Sequence, residues 1–238
     1  MTNLAADSGT PLFPVSVLTT AYFPPVEYFF AIARSGRVLI EQHEHYQKQS
    51  WRSRCRILSA GGPEDLSIPI VKEERRSRPV RDIRIDYGEP WLQHHLRAFE
   101  AAYHSSAFFD YYADDLFPVL LRKPEFLFDL NMALLEKLLD LLDLHVPVSL
   151  TESFVKDTEG VMPGSTGHLF DFRARLQPKY KGESLLAEYG REQAYYQVFV
   201  NQDPGVCHSR LERESRFIPN LSILDLLSAE GPDACRFL

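Results

Sequence analysis

Cysteine is scarce in this 238-residue chain, and the three present, Cys55, Cys207 and Cys235, stand far apart. That spacing excludes a complete disulfide framework and any close-spaced zinc motif, and it fits a reducing compartment. Cations are in deficit too: 26 Lys and Arg face 33 Asp and Glu, for a net charge of -7. A nucleic-acid partner calls for clustered positive charge, so this balance argues against one. No apolar run is long enough to span a bilayer, and membrane insertion is not expected; the richest stretch, Leu134–Leu144, is broken by Glu136, Lys137, Asp140 and Asp143. The opening MTNLAADSGTPLFPVSV has no basic region followed by a long apolar one. It is therefore not a signal peptide, and a cytoplasmic location is the expectation. Also missing are a G-x-S-x-G elbow, a phosphate-binding P-loop, and a G-x-G-x-x-G after the first strand.

What remains is an ordinary globular composition, 45% apolar and 12% aromatic. Residues 1–12 read as a disordered leader. Phe13 to Phe23 reads as a buried strand stopped by Pro24 and Pro25, which cannot donate to a ladder. Val26 to Ser35 turns to helical spacing, with Gly36 as its expected C′ residue, and Arg37 to Gln42 returns to a strand. Strand, helix, strand in so short a span is a βαβ unit, which implies parallel pairing. Arg54 to Ser59, Leu66 to Val71 and Arg81 to Tyr87 alternate as further strands, the first two joined at Gly61-Gly62-Pro63 and followed by a charged run at Glu73–Arg78. From Trp91 the period becomes helical, giving helices near 91–104, 108–121 and from an Asp129 cap onward. A Gly/Ser loop near 159–168, an alternating Phe170 to Leu176 and a helix from Ser222 to about Ala229 complete the chain. This order predicts an α/β fold: a Rossmann-like mixed sheet in a single domain over 13–238, with a helical insertion at about 91–145.

Charge is unevenly spread. Residues 34–84 carry 12 Lys and Arg against 7 Asp and Glu, against the trend of the whole chain. This segment includes the end of the second strand, and open parallel sheets bind ligands at strand carboxyl ends. Lys48, Arg52 and Arg54 are candidates for holding phosphate or carboxylate, with Trp51 and Tyr22 to pack on a sugar or base. The alternative is that Arg52, Arg54 and Arg56 line the wet face of a strand whose Cys55 and Ile57 point inward. His45 is a candidate general base. His43 and His45 alternate but lack an obvious third ligand, so no tightly bound metal is expected, and no cofactor is otherwise indicated. His94 and His95 read as surface residues, and Asp225 as either a helix-dipole carboxylate or a group orienting His45.

The run TTAYFPPVEYFFAIARSGRVLIEQHEHYQKQSWRSRCRIL resembles the opening of the WbqC-like family at Tyr22, Phe23, Pro24, Lys48, Trp51 and Arg54. A second block, YYQVFVNQ followed by RFIPNLSILDLLSAEGPDA, is similar to that family's C-terminal signature; it contains Tyr196, Gln197, Asn220 and Asp225. The DFRARLQPKY run, with Pro178-Lys179, resembles the form common in Bacteroidetes. The resemblance implies a setting in O-antigen-type surface-polysaccharide biosynthesis and an acyl- or aminoacyl-type transfer onto a nucleotide-linked amino sugar. The partner it implies is a small anionic substrate such as a nucleotide-sugar, with Tyr196 and Gln197 added to the binding residues. A non-catalytic binding or scaffold protein of the same pathway is the alternative, and it would present a flat apolar surface rather than a polar cleft. Both ends of the chain are expected to meet at one cleft holding Trp51 and Asp225.

Overall fold

The computed structural model describes residues 11–72, 78–156, 169–201 and 217–238. Most of the expected leader, most of the charged run and the Gly/Ser loop lie outside them. Among the described residues the six strands are β1 (Val15–Thr19), β2 (Val38–Glu41), β3 (Arg54–Ser59), β4 (Gly62–Ser67), β5 (Val148–Leu150) and β6 (Leu169–Asp171). They divide between two sheets. One is a four-stranded sheet in the order β5-β2-β1-β6, with every pair parallel; the other is the antiparallel β3–β4 hairpin. Ranked along the chain, the parallel strands lie third, second, first, fourth, which is the 3-2-1-4 portion of a Rossmann sheet. The order reverses beside β1.

The β1–α1–β2 unit forms as the sequence predicts, with α1 at Val26–Ala33. Pro25 precedes the first turn, where its missing N–H costs nothing. Gly36 is not the expected C′ residue, since no positive φ occurs there. It instead lets two backbones approach: its N–H donates to Phe13 O, and a Cβ would stand 3.0 Å from Pro14 O. The hairpin strand begins at Gly62, whose φ of 104° makes the turn, rather than at Leu66. Arg81 to Tyr87 is not a continuous strand. It opens with a 3-10 turn at Val80–Asp82 and makes single bridges at Arg84 and Ile85, although Ile83 and Ile85 are buried as their alternation requires.

The insertion consists of α2 (Trp91–Tyr103), α3 (Phe109–Leu121) and α4 (Leu127–Leu141). Helix α4 starts ahead of Asp129, which lies in its first turn instead of capping it. Helix α2 buries Leu92, His95, Phe99 and Tyr103 at spacings of three and four, and packs against β3. Phe99 has no exposed surface, so its replacement by Ala would cost about 3–5 kcal/mol. The short helices α5 (Leu185–Glu188) and α6 (Val198–Asn201) lead to α7 (Ile223–Glu230), which packs on α1, α3 and β3. Ser222 caps α7 by accepting from Leu224 N–H, and Gly231 ends it at φ 58°. A single buried apolar cluster includes residues from β1, α1, the hairpin, the insertion and α7.

Candidate functional site

Strands β2, β5 and β6 end on the same side of the parallel sheet, and the segments that follow them enclose a cleft of about 710 Å³. That is the size of a small-molecule site. The β2 side supplies Glu44, His45, Lys48 and Ser50, the β5 side Phe154, and the β6 side Arg173, Gln177, Lys179, Tyr180 and Lys181. Lys48, Lys179 and Lys181 make no ion pair among the described residues. Phe154 and Tyr180 line the cleft while 47% and 45% exposed, with the guanidinium of Arg173 over the first ring and that of Arg175 over the second. Among the described residues the lining holds four Lys and Arg side chains against one carboxylate, and its walls are part aromatic, a combination that suits a phosphate carried on a ring-containing group.

A buried polar network fixes the cleft from below. Glu41, the last residue of β2, has no exposed surface. Its Oε1 accepts from His43 N–H at 2.7 Å and Thr151 Oγ1 at 3.0 Å, and its Oε2 accepts from Val155 N–H at 2.7 Å. These bonds tie the end of β2 to the chain after β5. Arg173 continues the network: Nη2 donates to Asp171 Oδ2 at 2.6 Å and to Val155 O at 2.7 Å, and its guanidinium lies 5.3 Å from the Phe154 ring. Glu44 accepts from Thr19 Oγ1 and pairs with the fully buried Arg52.

The candidates named from sequence separate into three places. His45 and Lys48 line the cleft. Tyr22, Trp51 and Arg52 stand behind it, in the core. Tyr22 has no exposed surface and its hydroxyl meets His95; Trp51 is 4% exposed, with Arg56 over its ring; Arg52 is consumed by Glu44. Arg54 lies on the outer face of the hairpin and pairs with Asp65 and Ser67, while Cys55 and Ile57 point inward, as the wet-face alternative holds. His95 is not a surface residue but 1% exposed, because the buried stripe of α2 passes through it. The His43 ring turns to Thr151 O, and among the described residues no group of three or more His, Cys, Asp or Glu side chains is placed to hold a metal.

The third place is the C-terminal block. Asp225 is 5% exposed and accepts from Tyr195 Oη at 2.8 Å and Gln197 Nε2 at 3.1 Å, with Tyr103 beside it. Burial raises its pKa to about 6 against the pull of these donors. Gln197 also clasps Ile218 with both ends of its amide, and Tyr196 is half exposed beside the same cluster. The two ends of the chain do meet, through Val26 N–H to Leu221 O, Ile223 N–H to Pro24 O and Ser222 N–H to Arg56 O. They meet in the packed interior. His45 and Asp225 line different cavities with no residue in common, and Trp51 lines neither.

Half of the cleft was not anticipated. Arg173, Lys179, Tyr180 and Lys181 come from the DFRARLQPKYK run, which is as cationic as the segment around Lys48. The signal was its position just after an alternating strand; the negative balance of the surrounding chain hid it.

No solved structure matches this chain. An uncharacterized protein of Mycobacterium tuberculosis, Rv1507c, is 27% identical over 231 residues, covering 94% of this chain and 97% of that protein. The WbqC-like protein family matches residues 20–237, taking in β2, β5, β6 and every wall of the cleft, and the chain belongs to that family.

Proposed function

We propose that the protein is a group-transfer enzyme of the acyl- or aminoacyl-transfer type, acting in the cytoplasm on a nucleotide-linked amino sugar for surface-polysaccharide synthesis. The observation that carries this reading is the set of three lysines, without an ion pair among the described residues, around a cleft at the carboxyl ends of parallel strands. Lys48, Lys179 and Lys181 hold the phosphates, and Tyr180 or Phe154 packs on the base or sugar. His45, exposed on the same wall, takes the proton from the acceptor's amine as its nitrogen bonds the acyl carbon of an activated acyl donor, an ester or thioester, whose alcohol or thiol departs as its bond to that carbon breaks. A polar cleft supports this reading over the scaffold alternative, which calls for a flat apolar face.

The test is calorimetric titration with a nucleoside diphosphate hexosamine. Binding should be lost stepwise in Lys48→Ala, Lys179→Ala and Lys181→Ala, and retained in His45→Gln, which should lose only transfer. A parent protein that binds neither this ligand nor pyrophosphate would overturn the reading.

A further inference from the structure

The cleft wall carries a carboxylate that the proposed reaction does not use. Glu44 lies three residues past the end of β2, and 7% of its side-chain surface is exposed, on the cleft. Behind it, Arg52 is wholly buried; Nε donates to Glu44 Oε1 at 2.9 Å and Nη2 lies 2.6 Å from Oε2. Thr19 Oγ1, at the end of β1, donates to Oε1 at 2.5 Å. Oε1 therefore has two hydrogen-bond donors, while Oε2 has the ion-pair contact with Nη2 but no hydrogen bond among the described residues, and a carboxylate has room for about four. Acceptor capacity remains on Oε2.

Stability does not account for this pair. A buried ion pair often does no better than an apolar pair of similar volume, and neither Nη1 nor Nη2 of Arg52 has a hydrogen-bond partner among the described residues. What the arrangement does achieve is to hold one acceptor atom rigidly at the cleft. Glu41 cannot serve there, because it has no exposed surface and does not line the cleft. We infer that Glu44, positioned by Arg52, is a specificity-determining residue that accepts a hydrogen bond from a sugar hydroxyl of the ligand whose phosphate the lysines hold. A hydroxyl suits this site and an ammonium does not, since Arg52 already balances the carboxylate's charge and leaves a lone pair without net charge. The inference rests on the proposed anionic cleft.

The test compares pyrophosphate, glucose 1-phosphate and cyclohexyl phosphate, the last two alike in ring size and phosphate but not in hydroxyls. The parent protein should bind glucose 1-phosphate at least about tenfold more tightly than cyclohexyl phosphate, the equivalent of one hydrogen bond to a charged group. In the double variant Glu44→Met/Arg52→Met, which removes both charges together, that preference should vanish while pyrophosphate affinity stays within about twofold. Glu44→Asp keeps the ion pair but draws the acceptor back, and should also lower the preference. Equal binding of the two esters by the parent, or a preference that survives in both variants, overturns this inference alone. Loss of all three ligands by the parent overturns the anionic cleft and the inference with it.

Discussion

The Tyr22 hydroxyl lies 2.9 Å from His95 Nδ1, joining the end of β1 to α2 inside the core. His95 also bonds the Ser67 backbone, so the neutral ring donates to Ser67 and accepts from Tyr22. Burial, with help from the nearby His94, lowers its pKa to about 4.

The first prediction follows from that shift. A depressed pKa stabilises the fold above the unfolded value near 6.5, and the contribution is lost as pH falls toward 4. The amount is about 3 kcal/mol. His95→Gln can keep both hydrogen bonds without titrating. Urea denaturation at pH 6.5, 5 and 4 should show this variant gaining on the parent as pH falls, and a constant difference would contradict the assignment.

Asp225 should show the opposite slope. Its pKa is raised from 3.8 to about 6, so its stabilising effect is complete below 3.8 and is lost as pH rises through 6. The size is again about 3 kcal/mol. Asp225→Asn should therefore gain on the parent as pH rises from 4 to 6.5. The two groups oppose each other in one window, so each single variant should shift the parent's pH dependence there in the opposite sense to the other.

Arg54→Lys should lower stability by no more than about 1 kcal/mol, because Arg54 is a part-exposed partner of Asp65 with 25% of its side chain in solvent. Ligand affinity should not change. A selective loss of phosphate binding in this variant would return Arg54 to the site.

Salt supplies a fourth check. The cleft lysines are exposed, and charges in solvent are screened over about 8 Å at physiological ionic strength. Pyrophosphate affinity should fall severalfold between 0.05 and 0.5 M sodium chloride, whereas the melting temperature without ligand should hardly move. Affinity indifferent to salt would argue against the lysines as the anion site.

The sequence made the parallel β1–α1–β2 unit and the three helices of the insertion legible, because prolines and period changes mark their ends. It also placed His45 and Lys48 correctly at a strand end. What it could not reveal was depth. Arg52 and Lys48 are both cations in one short polar run, yet one is sealed beneath Glu44 and the other faces solvent. Nothing local distinguishes them; the difference comes from α4, whose Asn131 side chain donates to Arg52 O across 79 residues of sequence. Asp225 does stand in the first turn of the last helix, as its helix-dipole reading holds, but its burial was hidden for the same reason, since its partners Tyr103 and Tyr195 come from distant elements.

The backbone bonds from Val26 to Leu221, from Ile223 to Pro24 and from Ser222 to Arg56 bear on how the chain is made. The first turn of α1 and the middle of β3 have their hydrogen bonds completed by residues translated 195 and 166 positions later. During synthesis the parallel unit waits with an open seam, and contacts of such long range form slowly. A ribosome stalled ahead of Leu221 would hold a chain whose earliest elements are still unfinished, whereas the insertion helices could already have packed on one another. In the order of assembly, the beginning of this protein is among the last parts to close.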